Sequence, residues 1–153
     1  MNPTQKKTTT AMDKLLLLKS RIPFFSGLTN QNIVELIENV RIVQFKPSEL
    51  IFEEGDTSNK DIYYLLSGSL DILKKDSQND KEKKITIMKE PTLFGEMRAI
   101  TGKNRTTTIK TSKDGALVLI FTLKVTQDSG KALFYRNVID ELSKKIVNMN
   151  EMS

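Results

Sequence analysis

The spacing of apolar residues along this chain runs from helical to strand-like and back to helical. Residues 1–12 are polar and Thr-rich and are expected to form a mobile segment. Asp13 is placed to cap a short helix through Lys19. Thr29 reads as the N-cap of a second helix over Asn30–Val40, where Ile33, Val34, Leu36, Ile37 and Val40 recur at helical spacing. From Arg41 the pattern changes to short β-rich runs: Ile42–Phe45, Leu50–Phe52, Ile62–Leu66, Leu70–Lys74, Ile85–Met88, Thr106–Thr111 and Leu117–Thr122. Pro47-Ser48, Gly55-Asp56, Ser67-Gly68, Pro91 and Asp114-Gly115 punctuate them as turns, and the polar stretch Lys75–Lys84 reads as an exposed hairpin loop. Short strands at such spacing predict a sandwich or barrel. Helical spacing returns after Gln127, with Tyr135, Ile139, Leu142, Ile146 and Met149 in an alternating four-three stripe. That stripe fits either a helix packed on its own domain or a homodimer seam, and spacing does not separate the two.

Composition narrows the chemistry. With 153 residues the chain is long enough for one domain with a full core. It has no cysteine and no histidine. That removes nearly all zinc, haem and iron–sulfur chemistry, thiol catalysis and His-based triads, so no metal and no enzymatic activity are expected. No apolar run approaches the roughly 20 residues that span a bilayer. Leu15–Leu18 is too short for a signal-peptide core, and a cytoplasmic protein is expected. The net charge of +5 is spread over scattered lysines, and the densest run, Lys81–Lys84, is interrupted by Glu82. This reads as a solvated surface, without the basic stripe and interleaved aromatics of a nucleic-acid binder.

The segment with the most chemistry is Phe94–Ile109, Phe-Gly-Glu-Met-Arg-Ala-Ile-Thr-Gly-Lys-Asn-Arg-Thr-Thr-Thr-Ile. Gly95 permits close approach of a ligand to the backbone, and Gly95-Glu96 would open a short helical turn whose free N–H groups favour an anion. The guanidinium of Arg105 suits two phosphate oxygens, while the carboxylate of Glu96 accepts hydrogen bonds from sugar hydroxyls.

These residues resemble the phosphate-binding cassette of the cyclic nucleotide-binding domain family, whose pattern is Phe-Gly-Glu-Leu-Ala-Leu, a short spacer, and Pro-Arg followed by small residues. The flanks are similar too: Ile22–Thr29, Ile51–Asp56 and Ile62–Leu70 look like the family's lead-in, strand-turn and hairpin, so the resemblance covers about residues 20–150. The fold it implies is mainly β, a jelly-roll-type β-roll with N-terminal helices and a C-terminal helix. As a single domain over 13–153, the roll would span about 41–123 and the helix about 128–151. The ligand implied is cyclic AMP, with cyclic GMP as the alternative.

The resemblance also assigns roles. Glu96 would accept the ribose 2′-hydroxyl; apart from the family, it is a carboxylate favoured by a helix start. Arg105 would pair with the cyclic phosphate; the alternative is an ion pair with Glu96 or Asp61 and no ligand. Gly95, Met97 and Arg98 would lend backbone N–H groups. Thr106 would bond the phosphate or guanine, which raises cyclic GMP, and Thr107 would sit near the phosphate. Asn148 and Asn150 are candidate base contacts. Two residues depart from the pattern. Arg98 replaces alanine, and its side chain would either add charge to the pocket, obstruct it, or point to solvent. Asn104 replaces proline and would loosen the loop.

The resulting expectation is a non-catalytic cyclic nucleotide sensor whose ligand moves the C-terminal helix through a hinge around Leu123–Leu133, with a downstream protein or a homodimer as the output. The alternative is a structural or protein-interaction module that has kept the roll without the ligand. The chain ends at Ser153, before any helix-turn-helix, so no DNA binding is expected.

Overall fold

This computed structural model describes residues 10–124 and 131–152, the side chains at 131–132 and 145–152 excepted. In chain order the elements are α1 (Ala11–Arg21), a 3-10 turn (Pro23–Phe25), α2 (Asn30–Leu36), β1 (Ile37–Phe45), β2 (Leu50–Phe52) and β3 (Ile62–Lys75). They continue with β4 (Glu82–Met88), β5 (Leu93–Phe94), α3 (Glu96–Thr101), β6 (Thr108–Leu123) and α4 (Lys131–Met152). The chain forms two compact units, Ile37–Leu123 and the segments on either side of it in sequence. The mobile segment expected over residues 1–12 falls on residues 1–9, outside the described residues, and on the start of α1. The centre of the expected hinge, residues 125–130, also lies outside them.

In the helical unit, Thr10 and not Asp13 caps α1. The Thr10 hydroxyl accepts from the Asp13 N–H at 3.1 Å, and the Thr10 N–H donates to the Asp13 carboxylate at 3.1 Å. This reciprocal box satisfies two otherwise orphaned donors, which a cap at Asp13 would not. Thr29 caps α2 as expected, accepting from the Asn32 N–H at 3.1 Å. That helix stops at Leu36, not at Val40, because Ile37 is drawn into a ladder opposite Leu123 and Asn39 takes a φ of 57° at the irregularity that follows. Pairing with a long strand outweighs local helical spacing here.

Among the described side chains of α4 the buried ones are Phe134 and Val138, whereas Tyr135 and Ile139, which open the expected stripe, are 51% and 61% exposed. The Phe134 ring meets Phe24 edge-on at 6.0 Å and Phe25 at 6.1 Å, and the Asn137 amide donates to the carbonyls of Phe24 and Ser26. These contacts set the rotation of the helix and leave Tyr135 and Ile139 of the expected stripe exposed, while Leu142, in line with Phe134 and Val138, is half-buried.

The unit Ile37–Leu123 is an antiparallel β-roll. Its strand order is β1-β6-β3-β4, with β2 added to β6 and β5 to β3. The expected strands 62–66 and 70–74 are one continuous strand, β3, and 106–111 and 117–122 join as β6, which begins only at Thr108. Ser67-Gly68 and Asp114-Gly115 are bends within β3 and β6, not turns between strands. β3 pairs with β6 from Ile62↔Phe121 to Leu73↔Thr108, with register shifts around Ser67 and Gly68. Gly68 (φ 93°) and Gly115 (φ 67°) provide the bends. An added Cβ at Gly68 would lie 2.3 Å from the Gly115 carbonyl oxygen, so the two strands cross where neither has a side chain. The hairpin loop is shorter than the expected Lys75–Lys84, since strand extends to Lys75 and resumes at Glu82. β5, with two residues, carries too little pattern to be read from sequence. Phe52, Tyr63, Leu65, Leu70, Phe94, Ile109, Ala116, Val118 and Ile120 form the core of this unit. Among the described residues no helix is long and apolar enough to cross a membrane, and no group of side chains could hold a metal ion.

Candidate functional site

β5 ends at Phe94, and the chain turns at once into α3 through Gly95, whose φ is 72°. Glycine is required there for two reasons. An L-residue is strained at that φ, and a Cβ would lie 2.8 Å from the Tyr63 ring, 3.0 Å from Arg105 Nη1 and 3.1 Å from the Phe52 ring. The six-residue α3 ends at Gly102 (φ 75°), whose N–H returns to the Arg98 carbonyl at 2.9 Å. The bond from the Thr101 hydroxyl to the Met97 carbonyl at 2.7 Å tightens the last turn.

Arg105 lies against this turn and is 5% exposed. Its Nη1 donates to the Gly95 carbonyl at 2.5 Å, and its Nη2 donates to Asn59 Oδ1 at 3.2 Å and to the Asp61 carbonyl at 2.9 Å. The guanidinium carbon sits 4.4 Å from the centre of the Phe52 ring and 5.5 Å from that of Tyr63. Phe52, Tyr63 and Phe94 pack on one another at 5.1–6.4 Å and form the floor beneath it. The backbone of Arg105 is also fixed. Its carbonyl accepts from the Gly55 N–H at 2.7 Å, and its N–H donates to the Asp56 carbonyl at 3.4 Å.

The charge of Arg105 is thus buried against rings and neutral oxygens. The nearby carboxylate of Asp61 pairs instead with Arg41 at 2.9 Å. The expected ion-pair alternative is corrected in this respect: Arg105 reaches Asp61, but at its backbone carbonyl. Burial holds the Arg105 pKa below the usual guanidinium value, and the Arg98 charge acts in the same direction. The Asp56 carboxyl is held below its ordinary value, first by the backbone N–H of Ser58.

Burial pushes the Tyr63 hydroxyl up to about 12, with the Asp61 charge adding to the rise. The folded state therefore holds this proton more tightly than the unfolded chain does. The stability involved is fully present below pH ~10 and is lost as pH rises towards ~12. Denaturant midpoints are expected to fall across that window, and Tyr63→Phe is expected to remove part of the fall. An identical profile for the variant would show that this hydroxyl plays no part.

Glu96, the first residue of α3, is buried at 2% exposure. Met97 is 43% exposed. Thr106 is exposed and Thr107 half-buried, while Thr108, which was not singled out, is buried and accepts from the Glu54 N–H at 2.8 Å. Of the three expected courses, the Arg98 side chain follows the outward one, as a surface residue. It turns along the surface of the turn and donates to four backbone carbonyls, those of Thr57, Asn59, Gly102 and Lys103. Asn148 and Asn150 have side chains outside the described residues. Sequence reasoning missed Asn59 and Lys74. Lys74 donates to the Thr106 carbonyl at 2.9 Å, and neither residue stands in a motif that marks it.

A sequence model described as the cyclic nucleotide-binding domain matches residues 42–127. No curated protein matches the sequence. Among solved structures, the catabolite activator protein of Thermus thermophilus is similar at 17% identity and a TM-score of 0.63, over 85% of this chain and 61% of that one. The regulatory domain of Toxoplasma gondii protein kinase A with cyclic AMP gives 19% and 0.62, over 89% and 48%. The regulatory subunit of a cyclic AMP-independent protein kinase A from Trypanosoma brucei gives 22% and 0.62, over 85% and 45%. This chain therefore spans about three fifths of the Thermus protein and about half of each kinase protein. At these identities the likeness shows the fold.

Proposed function

Because the chain belongs to the cyclic nucleotide-binding domain family, we propose that it is a non-catalytic sensor that holds a cyclic nucleotide on the turn from Gly95 to Thr107. The observation that carries this reading is Arg105. A guanidinium has five N–H groups, and its three hydrogen bonds here all end on neutral oxygens. Among the described residues no carboxylate bonds to it, so the positive charge is held in a fixed orientation, which favours binding of an anion such as a cyclic phosphate. Gly95 brings the start of α3 against that guanidinium, so the N–H groups of Met97 and Arg98 join the same cradle. Glu96 takes the ribose 2′-hydroxyl.

Cyclic AMP is the ligand proposed, and cyclic GMP is the alternative through the exposed Thr106. Occupancy is read out through α4, which follows β6 in the chain, and from there by a partner protein. The ligand-free module remains the second reading. It is supported by the similar fold of the regulatory subunit of a cyclic AMP-independent protein kinase A from T. brucei.

The ribose assignment is tested by titrating wild type and Glu96→Gln with cyclic AMP and its 2′-deoxy analogue. A charge-assisted hydrogen bond is worth about 1.5–3 kcal/mol, so Glu96→Gln is expected to lose roughly 10- to 150-fold with cyclic AMP. It is expected to change little with the analogue. Equal losses for both nucleotides would remove Glu96 from the ribose. Hydrogen exchange along residues 133–144, followed in the same titration, is expected to change on saturation. Unchanged exchange would remove the α4 readout.

A further inference from the structure

Arg98 is the third residue of α3, and its side chain reaches beyond the helix as well as to its C-cap, Gly102. Its Nε donates to the Asn59 carbonyl at 2.7 Å and its Nη2 to the Thr57 carbonyl at 2.9 Å. One edge of the guanidinium is thus closed on two carbonyls of a single surface turn. The remaining nitrogen, Nη1, reaches the carbonyls of Gly102 and Lys103, both at 3.4 Å. Four acceptors on two separate segments are gathered by one planar fork, a geometry that an ammonium on a flexible stem does not reproduce.

The turn held in this way is the one that holds Arg105. Asp56 Oδ1 accepts from the Ser58 N–H at 2.8 Å, and Asn59 Oδ1 accepts from the Asp61 N–H at 3.0 Å, so residues 56–61 form two consecutive side-chain-closed turns. The same Asn59 oxygen accepts from Arg105 Nη2, and the next acceptor, the Asp61 carbonyl, ends the segment. Asn59 is therefore bonded to both arginines, to Arg98 by its backbone and to Arg105 by its side chain. The residue is otherwise exposed, and an exposed turn held by few contacts opens readily.

We propose that Arg98 is a positioning residue for the anion site: by clamping Thr57 and Asn59 to α3 and the Gly102–Lys103 turn, it fixes the Asn59 amide that orients the Arg105 guanidinium. This rests on the proposed function, since orientation of Arg105 matters only if it meets a phosphate. It differs from the two simple roles for an arginine at this place. With its guanidinium engaged on carbonyls, the Arg98 side chain is not a second cation for the phosphate, and its bonds on two segments make it more than a surface charge. A phosphate bound to Arg105 meets a fork whose rotation is already set, which lowers the ordering cost of binding. The Arg98 charge also acts on Arg105 in the direction of a lower pKa, consistent with the two guanidinium groups lying close together across Asn59.

The test combines a double-mutant cycle with a readout that needs no ligand. Cyclic AMP affinity is measured for wild type, Arg98→Ala, Asn59→Ala and the double variant. Each single change is expected to weaken binding by about tenfold, and the double variant is expected to be no weaker than either, because both remove one line of contact. Arg98→Lys keeps the charge and is expected to behave as Arg98→Ala. Losses that multiply in the double variant, or full affinity in Arg98→Lys, would overturn the proposal. In the second arm, hydrogen exchange of the free protein is compared between wild type, Arg98→Ala and Arg98→Lys. Faster exchange at residues 57–61, with β3 and β6 unchanged, is expected for both variants. Unchanged exchange at 57–61 would overturn the clamp. If wild type binds no cyclic nucleotide, the proposed function fails, while the exchange arm still decides whether Arg98 holds the turn.

Discussion

Replacing Arg105 by alanine is expected to remove cyclic nucleotide binding while leaving the roll folded. Truncating one partner of a buried, hydrogen-bonded charge pair costs about 2–5 kcal/mol, which is roughly 30- to 5,000-fold in affinity. The upper part of that range applies here, because Arg105 is 5% exposed and its guanidinium faces the Phe52 and Tyr63 rings, where solvent screens little. The effect on stability has opposing parts. The carbonyls of Gly95 and Asp61 and the amide oxygen of Asn59 lose a donor, at about 1–3 kcal/mol for each that stays buried. Against that, a desolvated cation bonded to no carboxylate among the described residues is removed, which relieves part of the cost of burying it. The melting temperature is therefore expected to fall far less than affinity does. Arg105→Lys separates charge from geometry. It keeps the charge and loses the planar fork, so most of the affinity is expected to be lost with it. Arg105→Glu reverses the charge and is expected to abolish binding altogether. Unchanged affinity in Arg105→Ala, measured by calorimetric titration, would contradict the reading of the site.

The largest expected effect on stability is at Gly68, far in sequence from the cassette. A Cβ there would stand 2.3 Å from the Gly115 carbonyl oxygen, 2.7 Å from Ala116 Cα and 3.0 Å from the Gly115 carbonyl carbon. All three are backbone atoms of the paired strand, so no side chain can turn aside. The φ of 93° adds strain for any L-residue. Overpacking costs about 1–3 kcal/mol and a strained backbone about 1–3 more, so Gly68→Ala is expected to lose roughly 2–6 kcal/mol. That is a large fraction of the ~5–15 kcal/mol that holds a domain together. Gly102→Ala is the control. Its φ is 75°, but an added Cβ meets nothing within 4 Å, so only the backbone cost of about 1–2 kcal/mol is expected. Chemical denaturation of the two variants is the measurement. A loss at Gly68 no greater than at Gly102 would show that the β3–β6 crossing tolerates a methyl group.

The same glycine shows where sequence reading stops. Ser67-Gly68 and Asp114-Gly115 carry the composition of turns, and the local signal is correct in that the chain bends at both. What the pattern does not contain is that the two bends lie opposite one another, which makes one pair of long strands out of four short ones. Leu50–Phe52 is read to the residue because its flanks are turn-formers and its apolar run is short. The helix at Asn30 is read with its cap but four residues too long, since Ile37 and Val40 fit a helix and a strand equally well and the pairing with β6 decides. On α4 the stripe from Tyr135 is regular, but the bulk of Phe134 and the amide of Asn137 fix the face that packs.

In the cassette, the places of Gly95 and Arg105 are legible because each demands a particular residue type: no Cβ, a guanidinium. Asn59 and the course of Arg98 are not legible. The acceptors of Arg98 are backbone carbonyls, and a carbonyl leaves no mark in a sequence. The carboxylates expected as ion-pair partners of Arg105 are Glu96 or Asp61, and of these Asp61 meets Arg105 only at its backbone carbonyl while its carboxylate turns to Arg41.

The central claim is that this chain binds a cyclic nucleotide through Arg105. Calorimetric titration of the intact wild-type chain with cyclic AMP and then with cyclic GMP tests it most directly. The account predicts saturable binding in the micromolar range or tighter, with cyclic AMP the tighter of the two. Absence of heat with both nucleotides, together with an unshifted melting temperature at saturating concentrations, would contradict it and leave the roll as a ligand-free interaction module.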